Sequence, residues 1–175
     1  LVVHSGGQDS SARNWTLMRI PLMNVLAEPT HSYTTLSRPV LLFLNGRCEG
    51  IFHLRTYVDD WLLADQYGIE AADLLDAPFA PTHAGVPLVA LDPIPPLSEF
   101  SREQQAGVIW ERMLRFLQTA DLTQPENYAY VQSQIDIDNF VDYHSLQIYA
   151  ANNDWLHHNV KQFRPRTHGG RWSWI

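Results

Sequence analysis

Cysteine is nearly absent from this sequence, which has Cys48 as its single thiol in 175 residues. One thiol can form no internal disulfide, and it excludes a zinc site built from several cysteines. No apolar run approaches the roughly 20 residues of a membrane-spanning helix, so no membrane span is expected. No basic-then-apolar signal segment opens the chain. The start at Leu1 without Met and the stop at Ile175 within an apparent strand are typical of a fragment.

Positive charge is also scarce, since 12 Lys and Arg stand against 19 Asp and Glu, a formal net charge of -7. This balance disfavours a nucleic-acid partner, because proteins that bind the phosphate backbone usually present positive faces. The basic cluster at 161–166 is typical of a solvated strand edge. Apolar residues make up 45% and charged residues 18%, which indicates one globular domain or a piece of one.

The first third of the sequence predicts a hairpin followed by a helix. An apolar run at 39–44 leads to Asn45-Gly46, a dipeptide that tolerates the positive φ angles of a tight turn. The return strand is expected at 48–55, with a bulge or a close backbone approach at Gly50. A helix is then expected over 57–66, capped by Gly68.

Before the hairpin, residues 4–15 predict a polar loop, and an amphipathic helix is expected from about Trp15 to Leu26. Pro21 falls inside that helix and weakens the prediction. After the hairpin and the helix at 57–66, the stretch 69–100 is rich in Pro, Ala and Asp. A packed helix is not expected there, and we interpret the stretch as a connection between two lobes.

The last 75 residues predict helices and a final hairpin. Ser101 and Gln104 fit a capping box that begins a helix ending near Thr119, and a short helix is expected near 126–131. A central helix should begin at Asp136 or Asp138. Its apolar surface is wide, because Leu146, Tyr149 and Ala150 extend an apolar stripe, and this width predicts burial on most sides. That stripe consists of Ile137, Phe140, Val141, His144 and Ile148. Strands are expected to Arg164 and over Arg171–Ile175, around a turn at 168–170.

Asp154 and Asn159, five residues apart after the central helix, are the strongest chemical signal. The same spacing occurs in protein kinases, where the aspartate takes the substrate proton and the asparagine holds a metal ion. From spacing alone, a turn in which both side chains satisfy backbone groups is an equal alternative. Arg55, at the end of the return strand, is a candidate for contact with nucleotide phosphates, with a surface salt bridge as its alternative.

The histidines offer a competing interpretation. His157 and His158, with Asp154 or His144, have the residue types of a divalent-metal site. No His-x-x-x-His pair supports that site, and His144 is more typical of a hydrogen-bonded core histidine. A Ser-His-Asp arrangement lacks the Gly-x-Ser-x-Gly turn. Gly6-Gly7 is more typical of a plain loop than of a phosphate-binding nest.

Several segments together resemble the spore-coat protein H (CotH) family of atypical, kinase-like proteins. These segments are 43–52 around Asn45-Gly46, 135–143 at the start of the central helix, 151–159 with Asp154 and Asn159, and the Trp-rich strand 171–174. The resemblance covers nearly the whole chain from His4 onward. It implies an α+β, divergent protein-kinase-like fold with two lobes. The small-lobe part would be about 1–68, the connecting segment 69–100, and the large-lobe part with the catalytic loop 101–175.

The resemblance also implies an activity. It implies an ATP- and magnesium-dependent kinase that modifies serine or threonine of secreted, spore-coat or surface proteins, outside the cytoplasm. Asp154 matches the catalytic aspartate, Asn159 a metal-site asparagine, and Arg55 would contact the nucleotide. Two departures bear on activity. Thr56 stands where the family usually has a glutamate, and the Asp-x-Asp segment expected after the Trp-rich strand is absent because the sequence stops at Ile175. We therefore expect the 175-residue chain by itself to lack a magnesium ligand. A non-catalytic surface or adhesion module on the same scaffold is the alternative.

Overall fold

The computed structural model describes residues 1–7, 16–76, 82–83, 86–87, 90–155 and 159–175. In this described part, the chain is a mixed α+β structure with five α-helices and two three-stranded antiparallel sheets. The predicted α+β class is therefore confirmed. The arrangement into two kinase-like lobes stays a prediction.

The first sheet contains the predicted hairpin. Its strands are β1 (Val2–His4), β2 (Ser37–Leu44) and β3 (Arg47–Arg55), and β3 lies in the middle. Asn45 and Gly46 form the turn with φ angles of 50° and 79°, the positive values that this dipeptide tolerates. The register shifts between Leu42 and Phe43, opposite Gly50, whose φ is 104°. The hairpin and its bulge are thus confirmed.

Two short helices flank this sheet in the chain. Helix α1 (Arg19–Ala27) is shorter at its start than predicted, and Pro21 lies in its first turn, where backbone N–H groups have no helical partner. Helix α2 (Asp60–Tyr67) begins three residues later than predicted, because the Asp59 carboxylate caps it by accepting a hydrogen bond from Leu62 N at 3.0 Å. Gly68 ends α2 with a φ of 67°, as predicted.

The stretch 69–100 contains a strand that the sequence analysis did not predict. Strand β4 (Ala72–Asp76) pairs along its full length with β7 (Lys161–Pro165), and β7 also pairs with β8 (Ser173–Trp174). The two-residue strands β5 (Thr82–His83) and β6 (Val86–Pro87) and a short 3-10 helix at Leu97–Glu99 complete the stretch. Part of the predicted connection is thus a component of the second sheet.

Three helices form the second half of the chain. Helix α3 (Arg102–Thr119) has the predicted bounds, and Gln104 Oε1 accepts a hydrogen bond from Ser101 N at 3.0 Å, as a capping box requires. Helix α4 (Pro125–Gln134) is longer than predicted. Helix α5 (Ile137–Tyr149) is the predicted central helix, and the Asp136 carboxylate caps its start.

The predicted burial of α5 was wrong. Its buried residues are Asn139 and Tyr143, whereas Val141 and Ile148 of the predicted stripe are 52% and 71% exposed. Asn139 is buried because its amide bonds the backbone of β8: Nδ2 donates to Trp174 O at 3.1 Å, and Oδ1 accepts from Trp174 N at 2.6 Å. This polar anchor, rather than the apolar stripe, determines which face of α5 packs inward.

The main core lies between α3, α4, α5 and the second sheet. Trp172 is completely buried there, and Trp110 packs edge-on against it with ring centroids 5.3 Å apart. A smaller core joins Leu63 of α2 to Phe163 of β7. The main core contains Tyr143 of α5 and the smaller core contains Phe163 of β7, and the loop between these two elements carries the candidate site. The main core comprises Leu75, Ala106, Met113, Val131, Ile135, Tyr143, Val160, Trp172 and Trp174.

Candidate active site

The loop after α5 is shaped by asparagine side chains. Asn152 Nδ2 donates to Gln147 Oε1 on the last turn of α5 at 2.7 Å, and Asn152 Oδ1 accepts from Asp154 N at 3.1 Å. Ala151 has a φ of 48°, the left-handed conformation that turns the chain away from the helix axis. The loop therefore leaves α5 sharply and presents Asp154 at the end of a rigid element.

The structure brings Asp154 and Asn159 into direct contact. Asn159 Nδ2 donates to Asp154 Oδ2 at 3.0 Å and to Asp154 O at 3.2 Å. Asn159 itself has a φ of 60°, and Val160 beyond it is buried in the main core. The two predicted site residues thus lie side by side in the loop between α5 and β7.

Arg55 lies across a cleft from this pair. It is the last residue of β3, and its Nε is buried without a hydrogen-bond partner. Within the described part of the chain, Arg55 makes no ion pair, so the salt-bridge interpretation receives no support there. A buried guanidinium nitrogen without a partner is costly, and an oxyanion ligand would satisfy it.

Thr56, where the family resemblance leads us to expect a glutamate, has a structural contact. Its backbone N donates to Leu36 O at 3.0 Å, and its Oγ1 accepts from Leu36 N at 3.1 Å. The hydroxyl therefore fastens the residue before β2 to the end of β3. It supplies no negative charge beside Arg55.

The cleft has two chambers that meet at Arg55 and Asn159. The aspartate chamber, about 640 Å³, is lined by Asp154 and Asn152 on one side and by Gly6 and α1 on the other. The tyrosine chamber, about 430 Å³, is lined by Tyr57, Asp76 and Lys161. Both chambers border Arg55 and Asn159, and both volumes lie in the range of small-molecule sites.

Comparison with known proteins places the chain in a family. A family model described as CotH kinase protein matches residues 8–175. The chain belongs to the CotH kinase protein family. No curated protein and no solved structure matches it. The resemblance inferred from the sequence motifs is therefore confirmed, and the Asp154–Asn159 contact is a feature of a CotH-family chain.

The histidine interpretation gains no support from this CotH chain. His144 Nδ1 lies 2.8 Å from Phe140 O, and its ring packs against Trp155 and Trp174, as expected for a hydrogen-bonded histidine between aromatic side chains. Burial lowers the pKa of His144, although the bond to Phe140 O opposes that effect. No group of three His, Cys, Asp or Glu suited to a metal occurs among the residues that the structure describes. His157 and His158 lie outside them.

Gly6 and Gly7 fit the interpretation as an ordinary loop. Gly6 N donates to His4 Nδ1 at 3.0 Å, so one backbone N–H of the proposed nest is already used. Gly6 nevertheless borders the aspartate chamber. Nothing in this arrangement favours a phosphate nest over the loop interpretation.

The donor set at the cleft fits a magnesium ion. Asn159 contacts Asp154 through Nδ2, which leaves the amide oxygen for another partner, and carboxylate and amide oxygens are ligands that magnesium accepts. Asn159 would hold the ion, which would supply charge neutralisation at the nucleotide phosphates.

Three side chains of the tyrosine chamber were missed by the sequence analysis. Lys161 forms an ion pair with Asp76 and lies over the Tyr57 ring, with Nζ 5.2 Å from its centroid. Asp76 and Lys161 are 85 residues apart. Only the pairing of β4 with β7, which places Asp76 opposite Lys161, could have revealed that these two residues are neighbours.

In the described part of the chain, no helix combines the length and the apolarity needed to cross a membrane.

Proposed function

We propose that this CotH-family protein is an atypical protein kinase. It transfers the γ-phosphate of ATP, with magnesium, to serine or threonine hydroxyls of secreted, spore-coat or surface proteins, within a two-lobed kinase-like fold. The observation that carries the proposal is the direct contact of Asp154 with Asn159 across the cleft from Arg55. A carboxylate, an amide oxygen and an unpaired guanidinium on one cleft are the groups that phosphoryl transfer uses.

Each residue has a distinct role in this proposal. Asp154 orients the acceptor hydroxyl and accepts its proton as the oxygen attacks the γ-phosphorus. Asn159 keeps the Asp154 carboxylate in place through the 3.0 Å hydrogen bond and contributes an oxygen toward magnesium. Arg55 satisfies its buried Nε by binding a phosphate oxygen of the nucleotide. ADP leaves with the bond electrons of the cleaved phosphoanhydride.

The test measures phosphate transfer by the full-length protein from γ-labelled ATP to arrays of serine and threonine peptides. Asp154→Asn should lower kcat by about 10²- to 10⁴-fold, the usual contribution of a general base, while ATP binding persists. Asp65→Asn is the matched control, because Asp65 is an exposed carboxylate of α2 that lines neither chamber. Equal losses in both variants would contradict the assigned role of Asp154.

A non-catalytic surface or adhesion module is the second candidate. The observation that favours it is the contact of the Thr56 hydroxyl with Leu36 N, since a backbone fastening stands where the family usually has an acid. The two candidates differ in their response to nucleotide. If ATP with magnesium leaves the melting temperature unchanged and no phosphate is transferred, the kinase proposal fails and the module is favoured.

A further inference from the structure

The two chambers of the cleft differ in their relation to Asp154. Asp154 lines the aspartate chamber, whereas Arg55 and Asn159 line both chambers. In phosphoryl transfer, the attacking and leaving oxygens lie roughly in line on opposite sides of the phosphorus. An acceptor hydroxyl beside Asp154 therefore requires the rest of the nucleotide to extend away from Asp154, past Arg55 and Asn159. The tyrosine chamber borders Arg55 and Asn159 but not Asp154, as such a nucleotide requires.

The tyrosine chamber has the chemistry of a nucleoside site. The Tyr57 side chain is 50% exposed and offers an aromatic surface on which a base can stack. The Asp76 carboxylate at the end of β4 is 59% exposed and can accept hydrogen bonds from the two hydroxyls of a ribose. Lys161 pairs with Asp76 and covers part of Tyr57, which fixes the separation of the two groups.

We propose that the tyrosine chamber binds the nucleoside part of the nucleotide, with the base on Tyr57 and the ribose hydroxyls on Asp76. Lys161 is a positioning residue that holds Asp76 beside the ring. This assignment rests on the proposed kinase function and adds recognition residues to it. The pairing of β4 with β7 places Asp76 opposite Lys161, and both residues line this chamber.

The test is equilibrium binding of ATP, 2′,3′-dideoxy-ATP and inorganic tripolyphosphate to the full-length protein, measured by calorimetry. The wild type should bind ATP about tenfold more tightly than dideoxy-ATP, as expected for hydrogen bonds to a carboxylate. Asp76→Asn should weaken ATP about tenfold and bring the two nucleotides within about twofold of each other. Tripolyphosphate binding should be unchanged in Asp76→Asn and lost in Arg55→Ala.

The aromatic contact has its own variants. Tyr57→Ala should weaken ATP and dideoxy-ATP equally, by about tenfold, and Tyr57→Phe should retain wild-type binding, since the ring and not the hydroxyl stacks. Tyr128→Ala is the matched control, because Tyr128 of α4 is 42% exposed and lines neither chamber. Asp65→Asn serves in the same way for Asp76.

The outcomes separate the inference from the proposed function. If Tyr57→Ala and Asp76→Asn bind ATP like the wild type while Asp154→Asn still blocks transfer, the nucleoside assignment is wrong and the kinase stands. If the wild type fails to bind ATP, the kinase proposal itself fails. A wild type that binds ATP and dideoxy-ATP equally overturns the role of Asp76, whatever the variants do.

Discussion

At the scale of single residues, Asp73 is a buried charge of the second sheet that pairs with two arginines. Its side chain is 9% exposed, and it accepts from Arg164 Nη2 at 2.8 Å and from Arg166 Nε at 2.7 Å. Asp73→Ala leaves two partly exposed guanidinium groups without their partner. We expect the free energy of unfolding to fall by about 2 kcal/mol, less than for a fully buried pair because water screens both arginines.

Urea unfolding followed by circular dichroism measures that loss. Glu49→Ala is the control, because Glu49 pairs with Arg47 at 3.8 Å and the Arg47 side chain is 85% exposed. An exposed pair of this kind contributes less than about 1 kcal/mol. A similar loss in both variants would show that the burial of Asp73 does not increase the contribution of its ion pairs to the free energy of unfolding.

The sequence identified single residues wherever the signal was local. Asp154 and Asn159 lie five residues apart, and both the turn and the kinase interpretation of that spacing require their closeness, which the structure shows. Asp76 and Lys161 could not be found in this way, because their proximity depends on pairing between distant strands. Arg55 was noticed from its place at a strand end, although its unpartnered Nε is a property of the folded chain.

At the scale of secondary-structure elements, Asn139 joins α5 to β8 and to the segment after α1. From α5 it bonds both backbone groups of Trp174 in β8, and Nδ2 also donates to His31 O in the segment after α1 at 2.9 Å. Asn139→Ala leaves these buried backbone groups unsatisfied, and we expect a loss of about 3 kcal/mol in the free energy of unfolding. Hydrogen exchange of the Trp174 amide should accelerate.

The control for Asn139 is Asn127→Ala. Asn127 is a half-buried residue of α4 whose Nδ2 donates to Asp121 O at 2.8 Å in a solvent-exposed hydrogen bond, so the substitution removes a comparable bond from an accessible site. Water replaces that bond, and the expected loss is below about 1 kcal/mol. If Asn139→Ala costs no more than Asn127→Ala, the amide is not the anchor of α5.

Helices and turns were predictable where the residues at their ends have a characteristic backbone conformation or a capping side chain. Asn45-Gly46, Gly68, Ser101 and Asp136 mark a turn or a helix end through backbone conformation or capping, and all four were found from the sequence. Strand β4 was missed because the Pro and Ala around it dominated the composition of 69–100. The buried face of α5 was missed because the pattern counts apolar residues, whereas the packing depends on the amide of Asn139.

At the scale of the whole molecule, His31 and Asp142 connect the segment between α1 and the first sheet to α5. His31 N and Nδ1 both lie 2.8 Å from Asp142 Oδ2. The hydrogen bond to Asp142 raises the pKa of His31 above its usual 6.5. Bonds from the His31 backbone and side chain lower the pKa of Asp142 below its usual 3.8. The stabilisation by the His31–Asp142 pair is therefore lost both at high pH, where His31 loses its proton, and at low pH, where Asp142 gains one.

The signs of these shifts predict the pH dependence of stability. Because the folded pKa of His31 is raised, its contribution is fully present below pH 6.5 and is lost as pH rises through the folded value. Because the folded pKa of Asp142 is lowered, its contribution is present above pH 3.8 and is lost as pH falls through the folded value. The pair should therefore stabilise the fold most between these limits.

Melting temperatures of the wild type and Asp142→Asn from pH 4 to pH 9 test this prediction. The difference between them should be largest from about pH 4 to pH 6.5 and should shrink above that range. His4 and His144, whose pKa values burial lowers, contribute with the opposite sign, but they cancel in the difference because both proteins retain them. Asp121→Asn is the control. Hydrogen bonds from Thr123 lower the pKa of Asp121, and no histidine among the described residues pairs with it, so its difference should stay constant from pH 6 to pH 9. A constant difference for Asp142→Asn over the same range would mean that protonated His31 does not hold the segment after α1 to α5.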